Sequence, residues 1–225
     1  MFIGHYAVAL ATKKAVPNVS LGTLILSAQL ADLIWPVLLL LGLEHVRIDP
    51  GNTALTPLDF YDYPISNSLI GSIFWSIIMG VIVYIFLKEF RTSLILGLVV
   101  FSHWILDFIT HRPDLPLGPG INLTFGLGLW NSVPGTIALE LILFVIGIML
   151  YTGVTSAKDK IGKYGFWSLM IVILLLYFGN IFGPPPPSAS AIAVAANGAW
   201  LFIIWAYWAD HHRTTASPMV LKNPQ

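Results

Sequence analysis

Three ionisable residues recur four positions apart near the middle of the chain: His103, Asp107 and His111. They lie in an apolar run, Thr92–His111, that is typical of a membrane-spanning helix. Because four residues advance an α-helix only about 40° beyond a full turn, the three side chains share one stripe. Ionisable groups are costly in hydrocarbon and are expected to be functional there. Such a stripe, facing the interior of a bundle, suits a metal site or a proton relay.

The composition is that of an integral membrane protein. Hydrophobic residues make up 56% of the 225 residues and charged residues only 10%, whereas soluble domains carry about 25% charged residues. The formal net charge is zero, so nothing indicates a nucleic-acid partner. The absence of cysteine excludes disulfides, thiolate nucleophiles and thiolate metal ligands.

The apolar segments predict an all-α fold, a polytopic membrane helix bundle that forms one domain over residues 1–225. Its predicted elements are a short N-terminal helix and six transmembrane helices: Phe2–Thr12, then Leu21–Leu43, Ser68–Leu87, Thr92–His111, Ser132–Gly153, Tyr164–Phe182 and Ala189–Ala209. The short helix covers roughly 18 Å, too little to span a bilayer. It lies either at the membrane interface or inside the bundle.

The basic residues predict the orientation. With six spans and both termini on one side, that side carries nine Lys and Arg residues: Lys13, Lys14, Lys88, Arg91, Lys158, Lys160, Lys163, Arg213 and Lys222. The other side carries two, Arg47 and Arg112. The positive-inside rule therefore places both termini in the cytoplasm, which we expect to be that of a bacterium with this protein in its inner membrane. The loops Glu44–Ser66 and Arg112–Trp130 then face outward.

Four ionisable residues from four segments are predicted to lie at one depth. Asp32 and His103 each lie twelve residues inside their spans, and Glu140 lies thirteen residues from the end of its span. At the helical rise, all three are about 18–20 Å from the cytoplasmic end. His5 reaches a similar level if the short helix folds inward. We therefore expect these side chains to converge.

Imidazoles and carboxylates without sulfur suit a divalent metal ion, with zinc favoured over manganese or iron. Such an ion offsets the burial of carboxylates and brings the pKa of a water molecule close to neutral. Each residue alone has a simpler explanation, such as a histidine bonded to backbone or a carboxyl that is protonated or paired; together they favour a shared site. Gln29, one turn before Asp32, could bond it or a substrate. His111 could instead cap its helix.

Several of these residues also carry a resemblance to a known family. They are His5 after a glycine, Asp32 in the first span, the run Tyr63–Ser68 and the pair Ser102-His103 with Asp107. In this pattern the chain resembles the membrane-bound metal-dependent hydrolases, the LexA-regulated inner-membrane hydrolase-like proteins. The resemblance covers roughly residues 1–140. It suggests a hydrolase-like core over about residues 1–153, with two additional spans over about residues 164–209.

The resemblance also implies roles for individual residues. By it, His5, Asp32, His103 and Asp107 are metal ligands, and Glu140 is a ligand or a general base. Asn67 departs from the family pattern, which places a histidine there. An asparagine is a weaker ligand, so this position leaves open an altered metal site or a loss of activity.

Three functions remain open at this point. The favoured one is metal-dependent hydrolysis of an ester or phosphoester bond, with Glu140 or Asp107 handling the proton; a site at mid-depth that opens outward suits a lipid or other amphiphile. The first alternative, favoured by Asn67, is a non-catalytic accessory subunit of a larger membrane complex. The second is a transporter or proton relay that uses His103, Asp107 and His111, although no internal repeat supports it. Membrane lipids are the expected partners, with a membrane-protein complex as a further candidate.

Overall fold

The structure, a computed structural model, describes residues 1–215, so Lys222 lies outside the described residues. It is an all-α bundle with little sheet, as the sequence predicts. The helices are α1 (Ile3–Thr12), α2 (Leu21–Ala28), α3 (Leu30–Leu40), α4 (Leu69–Leu87), α5 (Phe90–Thr110), α6 (Val133–Val154), α7 (Lys160–Phe182), α8 (Ala189–Ala196) and α9 (Ala199–His211). The strands form antiparallel pairs: β1 (His45–Ile48) with β2 (Leu58–Asp62), β3 (Leu115–Pro116) with β4 (Thr124–Phe125), and β5 (Thr155–Ala157) with β6 (Arg213–Thr215).

Five helical segments are long and apolar enough to cross a membrane. They are α4, α5, α6, α7 and the segment Ala189–His211, which contains α8 and α9. The pair α2 and α3 qualifies as a sixth crossing if its two halves are taken together. These segments indicate an integral membrane protein and agree with the spans predicted from the sequence.

The span predicted over Leu21–Leu43 consists of two helices and is not one continuous helix. The helix breaks at Gln29, whose backbone (φ −101°, ψ 7°) is not helical, and α2 and α3 meet at a bend of 58°. The break does not lie at Pro36, which is accommodated inside α3. The break frees the carbonyl group of Ala28 at the end of α2, and the imidazole of His103 forms a hydrogen bond with that carbonyl.

Helix α1 lies inside the bundle and not at the membrane interface, which settles the alternative left open by its length. Most of its residues are buried. It packs along α6 at Gly147, where a Cβ atom would lie 2.7 Å from the carbonyl oxygen of Ala7. Since real Cβ atoms do not approach backbone oxygen so closely, the glycine is what allows α1 to sit at this distance from α6. The contact holds His5 in the middle of the bundle.

A buried ion pair joins several helix ends at one end of the bundle. Lys13 Nζ donates to Asp210 Oδ2 at 2.8 Å and to the carbonyl oxygen of Val19 at 2.7 Å. Asp210 also accepts hydrogen bonds from the hydroxyl of Tyr151 and the amide of Leu21. The ends of α1, α6 and α9 and the start of α2 therefore lie together, whereas Met1 is buried inside the bundle.

The opposite end is covered by the two long loops. The buried carboxylate of Asp59, on β2, pairs with Arg47 of β1 at 2.5 Å and with Arg112. Arg112 also donates to Asp114 at 3.1 Å. These ion pairs join the hairpin after α3 to the loop after α5, and so close the bundle above the end of α5.

Candidate functional site

Three of the predicted ligands come together in the interior. His5 Nε2 lies 3.1 Å from Oδ1 of Asp107, and His103 Nε2 lies 3.2 Å from Oδ2 of the same carboxylate. All three residues are buried, and one potential ligand atom of each lies within 4.8 Å of the others. Of the four residues that were predicted to converge, His5 and His103 thus meet, and Asp107 joins them. The role of these three residues as ligands stays a prediction.

The orientation of His103 is set by the break between α2 and α3. Its Nδ1 lies 2.8 Å from the carbonyl oxygen of Ala28. A carbonyl oxygen only accepts, so Nδ1 carries the hydrogen and Nε2 points at Asp107. This Nε2 is buried and has no partner of hydrogen-bonding geometry within residues 1–215. A backbone carbonyl that fixes one ring nitrogen and leaves the other free is the usual arrangement around a metal-ligating histidine.

The second imidazole lies face to face with the first. The rings of His5 and His103 are 3.6 Å apart between centroids and within 3° of parallel. Two full positive charges at this separation repel strongly, so at most one of the two rings is charged; a metal ion would bind both rings in their neutral form. The α-amino group of Met1 also contacts Asp107. Asp107 therefore has one cationic partner in addition to the two imidazole rings.

Asp32 lies at the edge of this group. Its Oδ1 is 3.6 Å from His103 Nε2, and its side chain is 43% exposed, compared with 5% for Asp107. The difference arises because Asp32 is in the first turn of α3, where it faces a cavity. Both carboxylates line the cavity, and Asp32 is the more exposed of the two.

Glu140 is close in space but is engaged differently. Its Oε2 accepts hydrogen bonds from the amides of Phe2, at 2.9 Å, and Gly4, at 3.2 Å. A carboxylate at a helix N-terminus satisfies free amides and interacts favourably with the helix dipole. Glu140 thus holds the start of α1 in place, one turn from His5. The structure does not bring it into the group formed by the two histidines and Asp107.

His111 completes the stripe on α5, as predicted. Its Nε2 lies 3.9 Å from Asp107, and its Nδ1 lies 3.0 Å from Asp114 and 3.3 Å from the hydroxyl of Tyr63. Tyr63 also donates to Asp114. Burial, together with the charge of Asp114, raises the pKa of the Tyr63 hydroxyl, so this group stays protonated as a donor.

Asn67 and Gln29 both line the cavity. Asn67 Nδ2 donates to Ser66 Oγ at 2.7 Å, and Ser66 in turn donates to the buried carboxylate of Glu44 at 2.6 Å. Burial raises the pKa of Glu44. Gln29 is buried at the helix break, and its Oε1 has no partner among the described residues. This oxygen is therefore free to accept a hydrogen bond from a ligand.

The cavity beside these groups has a volume of about 810 Å³. One end holds polar side chains, including Asp32, Asp107 and Glu140, and an aromatic wall follows at Trp35 and Trp130. The rest of the lining comes from the loop over residues 50–58, the end of α7, the Pro184–Pro187 connector, α8 and the start of α9. The two C-terminal spans, which lie outside the family resemblance, thus build part of the cavity.

Sequence reasoning missed the groups that orient the site. The carbonyl of Ala28 could not be recognised, since its availability depends on a helix break that no proline or glycine marks. Asp114 had a signal, because it follows His111 by three residues. Asp114 also pairs with Arg112, its neighbour but one in the sequence.

Comparisons with known proteins add no family assignment. Family models, curated proteins and solved structures were all compared with the chain, and none matched. The resemblance to the membrane-bound metal-dependent hydrolases therefore stays a prediction from the residues that carry it.

Proposed function

We propose that the protein is a membrane-embedded, metal-dependent hydrolase of ester or phosphoester bonds. The observation that carries this proposal is the buried group of His5, His103 and Asp107, with an unpartnered His103 Nε2 aimed at a carboxylate beside a cavity. A lone pair and a carboxylate oxygen 3.2 Å apart need a proton or a cation between them. In hydrocarbon surroundings such a group is expected to serve a function.

The residues fit a divalent ion. Two imidazoles and one carboxylate match the three-ligand sets of catalytic zinc sites, which leave a position open. His5, His103 and Asp107 would hold the ion, with Asp32 as a further ligand on the cavity side. We favour zinc over manganese or iron because histidine nitrogens make up most of the set. An ion held there would supply Lewis acidity and ease the deprotonation of water.

The chain's own residues support this chemistry by position. The Ala28 carbonyl fixes the His103 ring, and Glu140 fixes the first turn of α1 and with it His5. Asp32 borders the cavity, where it can orient an incoming polar group. Asp107 contacts both imidazoles, which favours it over Glu140 as the group that handles a proton.

We further propose the inner membrane of a bacterium as the location. The side that joins Lys13 and Asp210 would face the cytoplasm, since it carries eight of the ten Lys and Arg residues in the described part of the chain. The loops that hold Arg47 and Arg112 would then face outward, and the cavity beneath them would be reached from the outer half of the bilayer.

Hydrolysis by the loaded and the metal-free protein tests the proposal. Detergent-purified protein is stripped with a chelator, reloaded with zinc, manganese or iron, and assayed on a panel of carboxylic esters and phosphoesters. We expect activity only after reloading, and none in His103→Ala. His45→Ala is the matched control, because His45 lies in an exposed pair with Asp62. Activity that survives chelation and His103→Ala contradicts the proposal.

A further inference from the structure

The cavity has an opening on the side of the bundle as well as a polar end. Leu176, Gly179 and Asn180 of α7 and Ala195 of α8 are all exposed, and all four line the cavity. Helix α7 packs against α9, and α8 packs against α3, so direct packing does not fill the space between α7 and α8. We call the gap between these four residues the lateral slit.

The lateral slit lies within the membrane-spanning part of both helices. Leu176 lies six residues before the end of α7, and Ala195 lies six residues after the start of α8. Both are therefore about 9 Å inside the helix ends that the Pro184–Pro187 connector joins. The hydrocarbon core is about 30 Å thick, so we expect acyl chains to surround the slit at Leu176 and Ala195. Gly179 and Asn180, three and two residues before the end of α7, lie nearer the headgroups.

The chemistry of the cavity changes along its length. Near the slit the lining is mostly small or apolar, with Ala195, Ala196 and Ala199 from α8 and α9 and Leu176 from α7, and Asn180 is polar. The lining that comes from α3 and the end of α5 is ionisable, with Asp32, Asp107 and His111. A volume of about 810 Å³ is within the range of about 300–1,000 Å³ for pockets that enclose small molecules. An amphiphile fits such a gradient with its chain at the slit and its polar group at the ionisable end.

We propose that one acyl chain of a membrane lipid enters through the lateral slit and lies between α7 and α8, with its ester-bearing end at Asp32 and Asp107. The substrate class is then an acyl-bearing membrane amphiphile, and only this assignment as a substrate rests on the proposed hydrolase function. Binding of the acyl chain itself depends on the lateral slit and the apolar walls. Binding of the acyl chain and hydrolysis of the lipid can therefore be tested separately.

Photo-crosslinking tests whether the acyl chain enters through the lateral slit. The full-length protein is placed in vesicles of phosphatidylethanolamine and phosphatidylglycerol, with a small fraction of phosphatidylethanolamine carrying a diazirine in one acyl chain. After irradiation, peptide mass spectrometry locates the adducts. We expect adducts on the inner lining at Ala196 and Ala199. Adducts confined to lipid-facing residues such as Val194 and Leu201 would overturn the proposal.

Two pairs of variants make the test specific. Gly179→Phe places a large side chain at the slit, at a position where a Cβ atom meets nothing within 4 Å. Leu175→Phe is its control, since Leu175 is exposed on α7 but does not line the cavity. Ala195→Phe and Val194→Phe repeat the comparison on α8. We expect loss of the inner adducts in Gly179→Phe and Ala195→Phe only. Equal labelling in a variant and its control would also overturn the proposal.

The metal site supplies the remaining distinction. His103→Ala removes a proposed ligand but leaves the slit untouched, so the inner adducts should persist in this variant. Inner adducts in a protein that binds no metal would leave the acyl site standing and refute the hydrolase. Bound metal without inner adducts would refute the acyl site and leave the hydrolase proposal standing.

Discussion

At the scale of single residues, the site depends on one carboxylate that serves several partners. Asp107 lies within 3.2 Å of the Nε2 atoms of both His5 and His103, and His111 is one turn further along α5. A buried carboxylate of this kind needs compensation by positive charge. Asp32 shares the neighbourhood but is open to the cavity, so its charge can be compensated by solvent or by a ligand.

We predict that Asp107→Asn abolishes metal binding. The amide has nearly the shape of the carboxylate but lacks its charge, and it is a far weaker ligand. Elemental mass spectrometry of the purified variant should find no bound metal, while the elution volume in size-exclusion chromatography stays that of the wild type. Asp62→Asn, in the exposed pair with His45, is the control and should retain the metal. Unchanged metal content in Asp107→Asn would remove Asp107 from the ligand set.

We predict that Asn67→His raises metal affinity or activity. The position lines the cavity, and a histidine there would restore the residue that the family resemblance implies. Isothermal titration of the chelated protein with zinc measures the affinity. Asn180→His is a suitable control, because Asn180 lines the same cavity from α7. If neither affinity nor activity changes, position 67 lies outside the site.

The ionisable stripe illustrates what could be predicted at this scale. The four-residue spacing on α5 indicated that His103, Asp107 and His111 share a face, and the structure places all three in contact along it. Equal depth indicated that His5 and Asp32 would join them, and they do. Glu140 satisfied the same depth criterion but bonds to backbone amides. Depth along a helix says nothing of the direction in which a side chain points, so it could not separate these cases.

At the scale of elements, two local features of the backbone position the histidines. The break at Gln29 supplies the carbonyl for His103, and the absence of a side chain at Gly147 lets α1 carry His5 into the bundle. The sequence predicted the short length of α1 but not its place, because a helix that is apolar on all sides can be buried or can lie at an interface. The break could not be predicted either, since Pro36 is the obvious breaker and lies inside α3.

We predict that Gly147→Ala separates α1 from α6 and weakens the site. The new methyl group would lie 2.7 Å from the carbonyl oxygen of Ala7, and overpacking of this kind costs about 1–3 kcal/mol. The melting temperature in detergent should fall, and the metal content should fall with it. Gly153→Ala, on the same helix, meets nothing within 4 Å and should leave both unchanged. Equal behaviour of the two variants would show that α1 is not held at Gly147.

At the scale of the whole molecule, the arrangement is a bundle whose two ends are closed by ion pairs and whose side opens between α7 and α8. Composition and apolar segments sufficed to predict the class of fold and the spans, because a chain in hydrocarbon must satisfy its backbone within helices. Composition and apolar segments did not predict the cavity. Part of its walls comes from the last two spans, whose sequence has no motif, and the packing of α7 on α9 and of α8 on α3 leaves space between α7 and α8.

The orientation of the bundle can be tested directly. A reporter that is active only in the cytoplasm, fused after Gln225, should be active, because the positively charged side of the bundle is expected to be cytoplasmic. A second reporter inserted in the loop over residues 50–57 should be inactive. The opposite pattern would reverse the topology and would place the cavity on the cytoplasmic side.

The central claim is that His5, His103 and Asp107 hold a metal ion. The most direct measurement is the metal content of the detergent-purified protein by elemental mass spectrometry, with wild type and His103→Ala purified side by side without chelators. We predict close to one equivalent of metal, most of it zinc, in the wild type and none in His103→Ala. A metal-free wild type, or equal metal in both proteins, would contradict the account.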